Sequence, residues 1–446
     1  MDNNAHLTEK QELALEALKR DKNVFLTGPA GSGKTFLLKN FIDWYKQNKE
    51  TETKKIYITS TTGLSASLIE GTTIHSYSGI GTGQKDINDI YKNIIKFSSG
   101  AKKRWLETGV LIIDEISMME ASIFDKLEIL AKKIRKSDEP FGGIQVILSG
   151  DFLQLPPVKS TAFCFEAISW DIVIDKVFYF DKIIRQCDER LQEVLNKIRN
   201  GIVDDSVKLL LNSCLNKKLE HPSGIIPTYL FSKRDIVLNY NTKELQKLID
   251  KGCETYTYTA EYTFPEKKKL TEETKEFFIN LINTNRGIDD TLTLSIGSQV
   301  MLITNQLSGL TPEEASGMKN TIFNGSRGIV IGFETGAYGK KYPIVSFLSD
   351  KTLTILPHTF EYESDKITIG KVQIPLILAW AITIHKAQGM SLDYLQTDIG
   401  KDIFEYAQVY VVLSRIRNIE GLSLLNIDYS KIRAHPKIIS YYSDLE

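Results

Sequence analysis

The stretch NVFLTGPAGSGKTFLLKNFIDWYK, residues 23–46, decides the fold class. Its first residues, Val24 to Thr27, read as a short buried strand. Gly28 to Thr35 then fit G-x-x-x-x-G-K-T. From Thr35 to Lys46 apolar residues recur at Phe36, Leu37, Leu38, Phe41, Ile42 and Tyr45, the spacing of an amphipathic helix. Strand, glycine turn and helix in that order are the context a phosphate-binding loop requires. Gly28, Gly31 and Gly33 permit a backbone nest, and Pro29, Ala30 and Ser32 complete it. Its N–H groups and the helix N-terminus favour phosphate oxygens. Lys34 is expected to reach the β- and γ-phosphates, and Thr35 to bind Mg²⁺.

Outward from this loop, KIYITST (55–61), VLIIDE (110–115) and IQVILSG (144–150) are short, apolar and β-branched. Amphipathic stretches such as Ile123 to Ile134 lie between them. That alternation implies a parallel sheet covered on both faces. Beyond about residue 180 come an amphipathic helix, RLQEVLNKIRNG (190–201), a strand, TYLFS (228–232), and a helix from about Asp235. Residues 297–375 contain GSQVMLITN, GIVIGF, YPIVSF and KITIGKVQIP, separated by Gly, Asn and Pro. They read as a small antiparallel β-barrel inserted into a larger domain. LILAWAITI (376–384), LQTDI (395–399) and LSLLN (422–426) return to buried-strand character, and PEKKKLTEETKE (265–276) reads as a solvated face or linker.

Composition sets the bounds. A chain of 446 residues implies two to four domains. With 42% hydrophobic and 25% charged residues, disorder is not the default. The net charge of −1 means that nucleic-acid binding would need a local groove rather than a basic field. Cys164, Cys187, Cys214 and Cys253 form no C-x-x-C, so reduced thiols in a cytosolic protein are expected. The N-terminus carries neither a secretory nor a transit pattern. The longest apolar run, Ile374 to Ile384, is too short to span a bilayer, so no membrane partner is expected.

VLIIDE places Asp114 and Glu115 at a strand end. Asp114 is the candidate Mg²⁺ partner, and Glu115 the base that orients an attacking water. These features leave a GTPase, a transporter ATPase, a remodeller and a nucleic-acid motor open. SKRD (232–235) echoes a guanine-reading motif only loosely, and no ABC signature is present. SGDFLQLPPV (149–158) narrows the choice, because it holds the Gln154 amide at a strand tip on a proline-stiffened loop.

With these motifs, the chain resembles the PIF helicase family, kin of the RecD-like helicases in the 5′-to-3′ branch of superfamily one. LTEKQELALEAL, TSTTGLSAS, GTTIHSYSGIG, IIDEISMM, GDFLQLPPV, IIRQCDERLQEVLNKIRNG, AWAITIHKAQGMSLD and YVVLSRIRN follow in the family's order. The resemblance implies an α/β fold of two RecA-like parallel-sheet domains, with a small wedge insertion and an SH3-like β-barrel insertion. The expected boundaries are 1–178 for the first domain with its wedge near 82–104, 179–296 with 376–446 for the second, and 297–375 for the barrel. It implies ATP and Mg²⁺ as cofactors, with Gln11 at the adenine and Gln388 and Gly389 near the nucleotide. Gln154 would sense the γ-phosphate, and Arg185 and Arg415 would act as arginine fingers.

The same resemblance assigns the DNA strand to Ser60, Thr61, His75, Tyr77, Pro156, Asn241, Thr383, His385 and Lys386. In that reading the strand AWAITI ends at a cleft between the two domains. Most of Phe36, Trp44, Phe152, Phe178 and Phe180 are expected in the core, whereas His75, Tyr77, Phe323 and Tyr342 are candidates to stack on bases. The implied activity is ATP-dependent 5′-to-3′ unwinding of tailed or forked duplex by a monomer that moves on single-stranded DNA. A single-strand-binding protein is a further candidate partner. A cytoplasmic location is expected, or a nuclear one in a eukaryote. A protein-stripping translocase and an ATP-switched binding module are the alternatives.

Overall fold

The computed structural model describes residues 7–51, 53–69, 71–157, 162–184, 186, 188–219, 226–265, 270–286, 288–304, 322, 324–336, 339–364 and 367–445. Two compact units emerge: Met1–Leu215 with Ser391–Asp393 and Ile399–Glu446, and Asn216–Met390 with Tyr394–Asp398.

In the first unit, β1 (Val24–Thr27), β2 (Lys55–Ser60), β3 (Thr72–Thr73), β4 (Thr108–Asp114), β5 (Gln145–Gly150) and β6 (Lys176–Tyr179) form one sheet. Its order is β3-β2-β4-β5-β1-β6 and every pairing is parallel. Alternation along the strands feeds two cores. Val24, Leu26, Val110, Ile112 and Ile147 join Leu37, Leu38, Phe41 and Ile42 of α2 (Lys34–Asn48) on one face. Phe25, Leu111, Ile113, Val146 and Leu148 join Phe124, Leu127 and Leu130 of helix Ala121–Arg135 on the other. Phe36 departs from the expected core, being 39% exposed on α2.

Between β3 and β4, helices Ile87–Phe97 and Ser99–Glu107 form the small insertion. Ile90, Ile94, Ala101 and Trp105 bury it against the sheet, and the Trp105 indole donates to the Ser78 carbonyl at 3.0 Å.

The second unit has its own parallel strands, β7 (Thr228–Phe231) between β18 (Ala381–Thr383) and β19 (Leu395–Ile399). The fold is therefore α/β with two RecA-like sheets. The rest of this unit is antiparallel: β8 (Thr255–Thr259), β9 (Glu261–Thr263), β10 (Thr291–Ser295), β11 (Gln299–Leu302), β12 (Arg327–Thr335), β13 (Lys341–Phe347), β14 (Thr352–Thr354), β15 (His358–Ser364), β16 (Ile367–Gln373) and β17 (Leu376–Leu378). Its five-stranded sheet runs β14-β13-β12-β11-β17, and β9 pairs with β16. Leu294, Val300, Leu302, Val330, Val345 and Phe347 fill its core.

Several elements differ from the sequence expectation. The antiparallel layer recruits strands outside 297–375, because Glu261–Val372 pairing and the burial of Leu294 draw in residues 255–295. LILAWAITI is not one strand. Leu376–Leu378 pair antiparallel with β11, whereas Ala381–Thr383 pair parallel with β7, so one apolar run serves two sheets. His385 and Lys386 then lie on a one-turn helix, Ile384–Ala387, rather than at a strand tip. Within 265–276, a helix begins at Glu272 and runs to Arg286. Residues 399–446 group with the first unit, as do 179–215, and Ile438 and Tyr442 enter its core.

Lys371 is fully buried in the second unit, where its ammonium donates to Asn283 Oδ1 at 2.7 Å, the Ile288 carbonyl at 2.6 Å and Asp290 Oδ1 at 2.8 Å. Burial pushes the Asp290 carboxyl up, but the Lys371 and Tyr262 hydrogen bonds outweigh it and hold it below the usual carboxylate range. Its stabilisation is therefore complete above the unfolded value of about 3.9 and is lost as pH falls through the lower folded value. Asp290→Ala, which leaves a buried cation with only neutral acceptors, should destabilise by roughly 1–3 kcal/mol. Lys371→Met should cost less, because the half-exposed Asp290 regains water. Urea unfolding at neutral and acidic pH measures both, and equal costs would contradict the ranking.

Candidate active site

The carboxyl ends of β1, β4 and β5 converge, as expected where ligands meet a parallel sheet. Gly28 follows β1 at φ +143°, and a Cβ there would collide with the Phe180 carbonyl beyond β6. Gly33 caps α2 in the left-handed region at φ +87°, where a Cβ would strike the Gln11 amide. Neither position tolerates a side chain, so the loop's shape fixes the glycine pattern. Gln11 itself is doubly committed. Its Oε1 accepts from Thr8 N at 2.9 Å, capping α1 (Glu9–Lys19), and its Nε2 donates to the Ser32 carbonyl at 3.2 Å. In this arrangement it braces the loop.

The Lys34 ammonium lies within the loop, 2.7 Å from the Gly28 carbonyl and 3.0 Å from that of Pro29. Burial lowers its pKa, while Asp151, Glu115 and Asp114 act to raise it. Thr35 is exposed at the start of α2. Asp114 ends β4, buried, and its carboxyl is raised by desolvation against the pull of the Ser149 hydroxyl, the Glu115 amide and Lys34. Glu115 takes left-handed geometry at φ 54°, a conformation uncommon outside glycine that turns its side chain out of the strand direction. The end of β2 supports this turn. Ser60 Oγ donates to the Asp114 carbonyl at 3.1 Å, and Thr61 Oγ1 to that of Glu115 at 2.9 Å.

A pair that the sequence reading did not single out lies beside them. Asp151 and Arg199, at the end of helix Glu189–Arg199, are both buried and joined by two hydrogen bonds of 3.0 and 2.8 Å. The guanidinium lies 5.7 Å from the Tyr179 ring centroid and 5.1 Å from that of Tyr442. The Tyr442 hydroxyl is 2.6 Å from Thr27 Oγ1, accepts from Phe152 N at 3.0 Å and contacts Asp151 Oδ1 at 3.3 Å. Tyr410 was also missed. Its hydroxyl accepts from Ala30 N at 2.8 Å, and burial together with Asp151 pushes its phenol up to about 12, so it stays neutral.

Arg415 is 1% exposed, two residues beyond helix Gln408–Leu413, which carries Tyr410. Its Nε donates to the Val411 carbonyl at 2.9 Å. Gln186 donates to the carbonyls of Ser414 and Ile416, 3.2 Å each, and so fixes the backbone on both sides of Arg415. Arg185 and Phe323 lie outside the described residues. The Gln154 side chain is 5% exposed.

Three residues expected at the strand are engaged within the protein. Tyr77 is fully buried, with its hydroxyl 2.7 Å from Thr108 Oγ1 and its ring against Tyr57 and Trp105, so no face is open to a base. Asn241 exchanges hydrogen bonds with the Ala381 backbone at 2.9 and 2.8 Å and clamps β18. Ser60 is buried and bonded to Ser65 Oγ at 2.6 Å as well as to Asp114. Thr61, His75, Pro156, Thr383, His385, Lys386 and Tyr342 keep partial exposure. Burial lowers the pKa of both His75 and Lys386. Thr383 caps the one-turn helix by accepting from Lys386 N at 3.2 Å. Gln388 is 4% exposed, and Gly389 is exposed at φ +79°. These last five residues and Asn241 belong to the second unit, and the phosphate loop to the first.

Among the described residues no group of three or more His, Cys, Asp or Glu could hold a metal ion. Thr35 and Asp114 are hard oxygen donors, and so sparse a set suits Mg²⁺, which takes most of its ligands from phosphates and water. No helix among the described residues is long and apolar enough to cross a membrane.

Comparison with known proteins agrees with this geometry. Residues 6–208 match the model of the PIF1-like helicase family. The ATP-dependent DNA helicase PIF1 of Xenopus laevis is 36% identical over 451 residues, covering 100% of this chain and 65% of that protein. The chain thus spans about two thirds or slightly less of the full length of such relatives. The crystal structure of Pif1 helicase from Candida albicans superposes with a TM-score of 0.83 at 34% identity, covering 99% of this chain and 100% of that one. The Bacteroides Pif1 helicase in complex with ADP-AlF3 and ssDNA gives 0.69 at 28% identity, with 99% and 97% covered.

The buried pair makes a sharp energetic prediction. Asp151→Ala should destabilise the first unit by about 3–5 kcal/mol, because Arg199 would keep its charge without a counterion. Replacing both partners, Asp151→Leu with Arg199→Met, should cost less than either single change. A double-mutant cycle by urea denaturation gives the coupling, and additive costs would show that the pair is energetically inert.

Proposed function

Because the chain belongs to the PIF1-like helicase family, we propose that it is an ATP-dependent DNA helicase that moves 5′-to-3′ on single-stranded DNA and unwinds tailed or forked duplex. The observation that carries this reading is the meeting, in the first unit, of a glycine loop and its lysine with Asp114, Glu115 and Asp151. A triphosphate's charge needs such a cation and nest, and its hydrolysis needs the acidic pair.

Lys34 exchanges its loop carbonyls for the β- and γ-phosphate oxygens. Asp114 and Thr35 would hold Mg²⁺, which would supply neutralisation of phosphate charge. Glu115, turned outward by its left-handed backbone, accepts the proton of the attacking water. Arg415 swings from its helix carbonyl to the γ-phosphate, with Arg185 as a second finger, and Gln154 senses the same group. The relief of buried charge at Lys34 when phosphate binds gives the loop a preference for the loaded state.

The strand is held through Thr61, His75 and Pro156 on the first unit and Thr383, His385 and Lys386 on the second. Net charge of −1 makes that grip local. The helical insertion near 82–104 serves as the wedge, and the antiparallel insertion guards the strand. A monomer acting in replication, repair or recombination, with a single-strand-binding protein nearby, fits this reading. Its location is cytoplasmic, or nuclear in a eukaryote.

Steady-state hydrolysis with and without single-stranded DNA, beside unwinding of 5′- and 3′-tailed duplexes, tests the proposal. Hydrolysis should rise with DNA, and only the 5′ tail should support unwinding. Glu115→Gln should bind ATP and stop turning over. Arg415→Ala should lose about 10³ or more in rate and keep nucleotide-free strand affinity, whereas His385→Ala and Lys386→Ala should weaken the strand first. Turnover indifferent to DNA would sink the motor and leave a nucleotide switch.

A further inference from the structure

Behind the Gln154–Pro156 loop lies a cavity of about 230 Å³ within the first unit. Its walls include Gln154, Pro156, Phe163, Tyr406, His435 and Ile438. Two features distinguish it from a packing defect. The Gln154 side chain, 5% exposed, puts a carboxamide on its wall. His435 Nδ1 is buried without a partner. A buried, unpaired nitrogen on a largely apolar cavity costs free energy unless something satisfies it.

The lining selects the ligand's chemistry. The His435 ring meets Phe163 and Tyr406 edge-on, with centroids 4.9 Å apart in both cases, so the walls are aromatic. Among the described residues no lysine or arginine lines the cavity, and Glu405 does, which disfavours a phosphate or carboxylate. The volume lies below the roughly 300 Å³ at which sites for drug-sized ligands begin, so it suits one ring system rather than a whole nucleotide. Aromatic walls with an amide and an imidazole nitrogen at the edge are the chemistry that reads an unstacked base.

We propose that this cavity receives one nucleobase of the bound single strand, rotated out of its stack at Pro156 and hydrogen-bonded by His435 Nδ1. The inference rests on the reading of the chain as a single-strand-binding motor. It goes further in giving the strand a register: one base per bound state is held apart from its neighbours. Releasing and recapturing a base would then accompany each step.

The test uses the full chain with short oligodeoxythymidines carrying one 2-aminopurine, moved one position at a time. Unstacking brightens this probe. Anisotropy of the same oligomers reports whether the strand binds at all. Binding with a several-fold brightening at one register supports the inference. His435→Phe, which keeps a ring and removes the nitrogen, should abolish that brightening, weaken binding by roughly 3- to 10-fold for one lost hydrogen bond and leave DNA-free hydrolysis unchanged. His435→Asn, which restores a polar atom, should recover the signal, an outcome that a merely structural histidine would not give. Binding without brightening at any register, or brightening that survives in His435→Phe, overturns the pocket alone. No anisotropy change with the wild type overturns the motor reading together with it.

Discussion

The bidentate contact between Asp151 and Arg199 is the constraint around which the first unit is organised. Asp151 leaves the end of β5, Arg199 closes helix Glu189–Arg199, and Tyr442 comes from the final helix, Pro436–Ser443. None is near another in sequence, yet they form one cluster, and Tyr442 ties it to the Thr27 hydroxyl, one residue before the phosphate loop. A buried ion pair is weak evidence for stability, because desolvation consumes most of the Coulomb gain. Its better-supported effect is selectivity, since a misplaced helix would strand a charge in the core. Here the selected arrangement holds Asp151 close enough to Lys34 to oppose part of the cost of burying that ammonium.

The parts of this site that are local in sequence were legible there. The glycine loop, the acidic pair at the end of an apolar strand and the amide before two prolines each derive their geometry from neighbours along the chain. What remained hidden depends on partners far away. Arg199 reads as one more basic residue near a helix C-terminus, where cations are common. Tyr410 and Tyr442 read as core aromatics, and only the fold shows their hydroxyls at Ala30 N and Thr27. Tyr77 failed in the opposite direction. Its turn-rich surroundings suggested exposure, but burial is a tertiary property, and Trp105 from the helical insertion covers it.

The same reasoning explains the division of LILAWAITI. Nine residues with so few polar atoms read as a single strand, since periodicity measures burial and not partnership. The break falls at Ala379 and Trp380, where the Ala379 amide donates to Gln299 of the antiparallel sheet and the Trp380 carbonyl accepts from Tyr229 of the parallel one. Asn241 completes the junction by bonding both backbone groups of Ala381. An asparagine that family resemblance assigns to DNA is thus occupied in holding the strand that precedes His385 and Lys386. Its effect on a bound strand would pass through their placement.

Helix Gln408–Leu413 supplies the remaining link between loop and arginine. Tyr410 binds Ala30 N at one side of the helix, and Arg415 follows its last turn, with Gln186 pinning the carbonyls on either side. A neutral phenol donates or accepts but carries no charge, so it can yield an N–H to phosphate without leaving an ion behind. If the loop closes on a nucleotide and Tyr410 is displaced, the short helix is freed at the end nearest the loop while Gln186 still holds the other. A six-residue helix is held by few internal hydrogen bonds, so such a displacement would pass along it to its last turn, where Arg415 follows between the carbonyls that Gln186 holds.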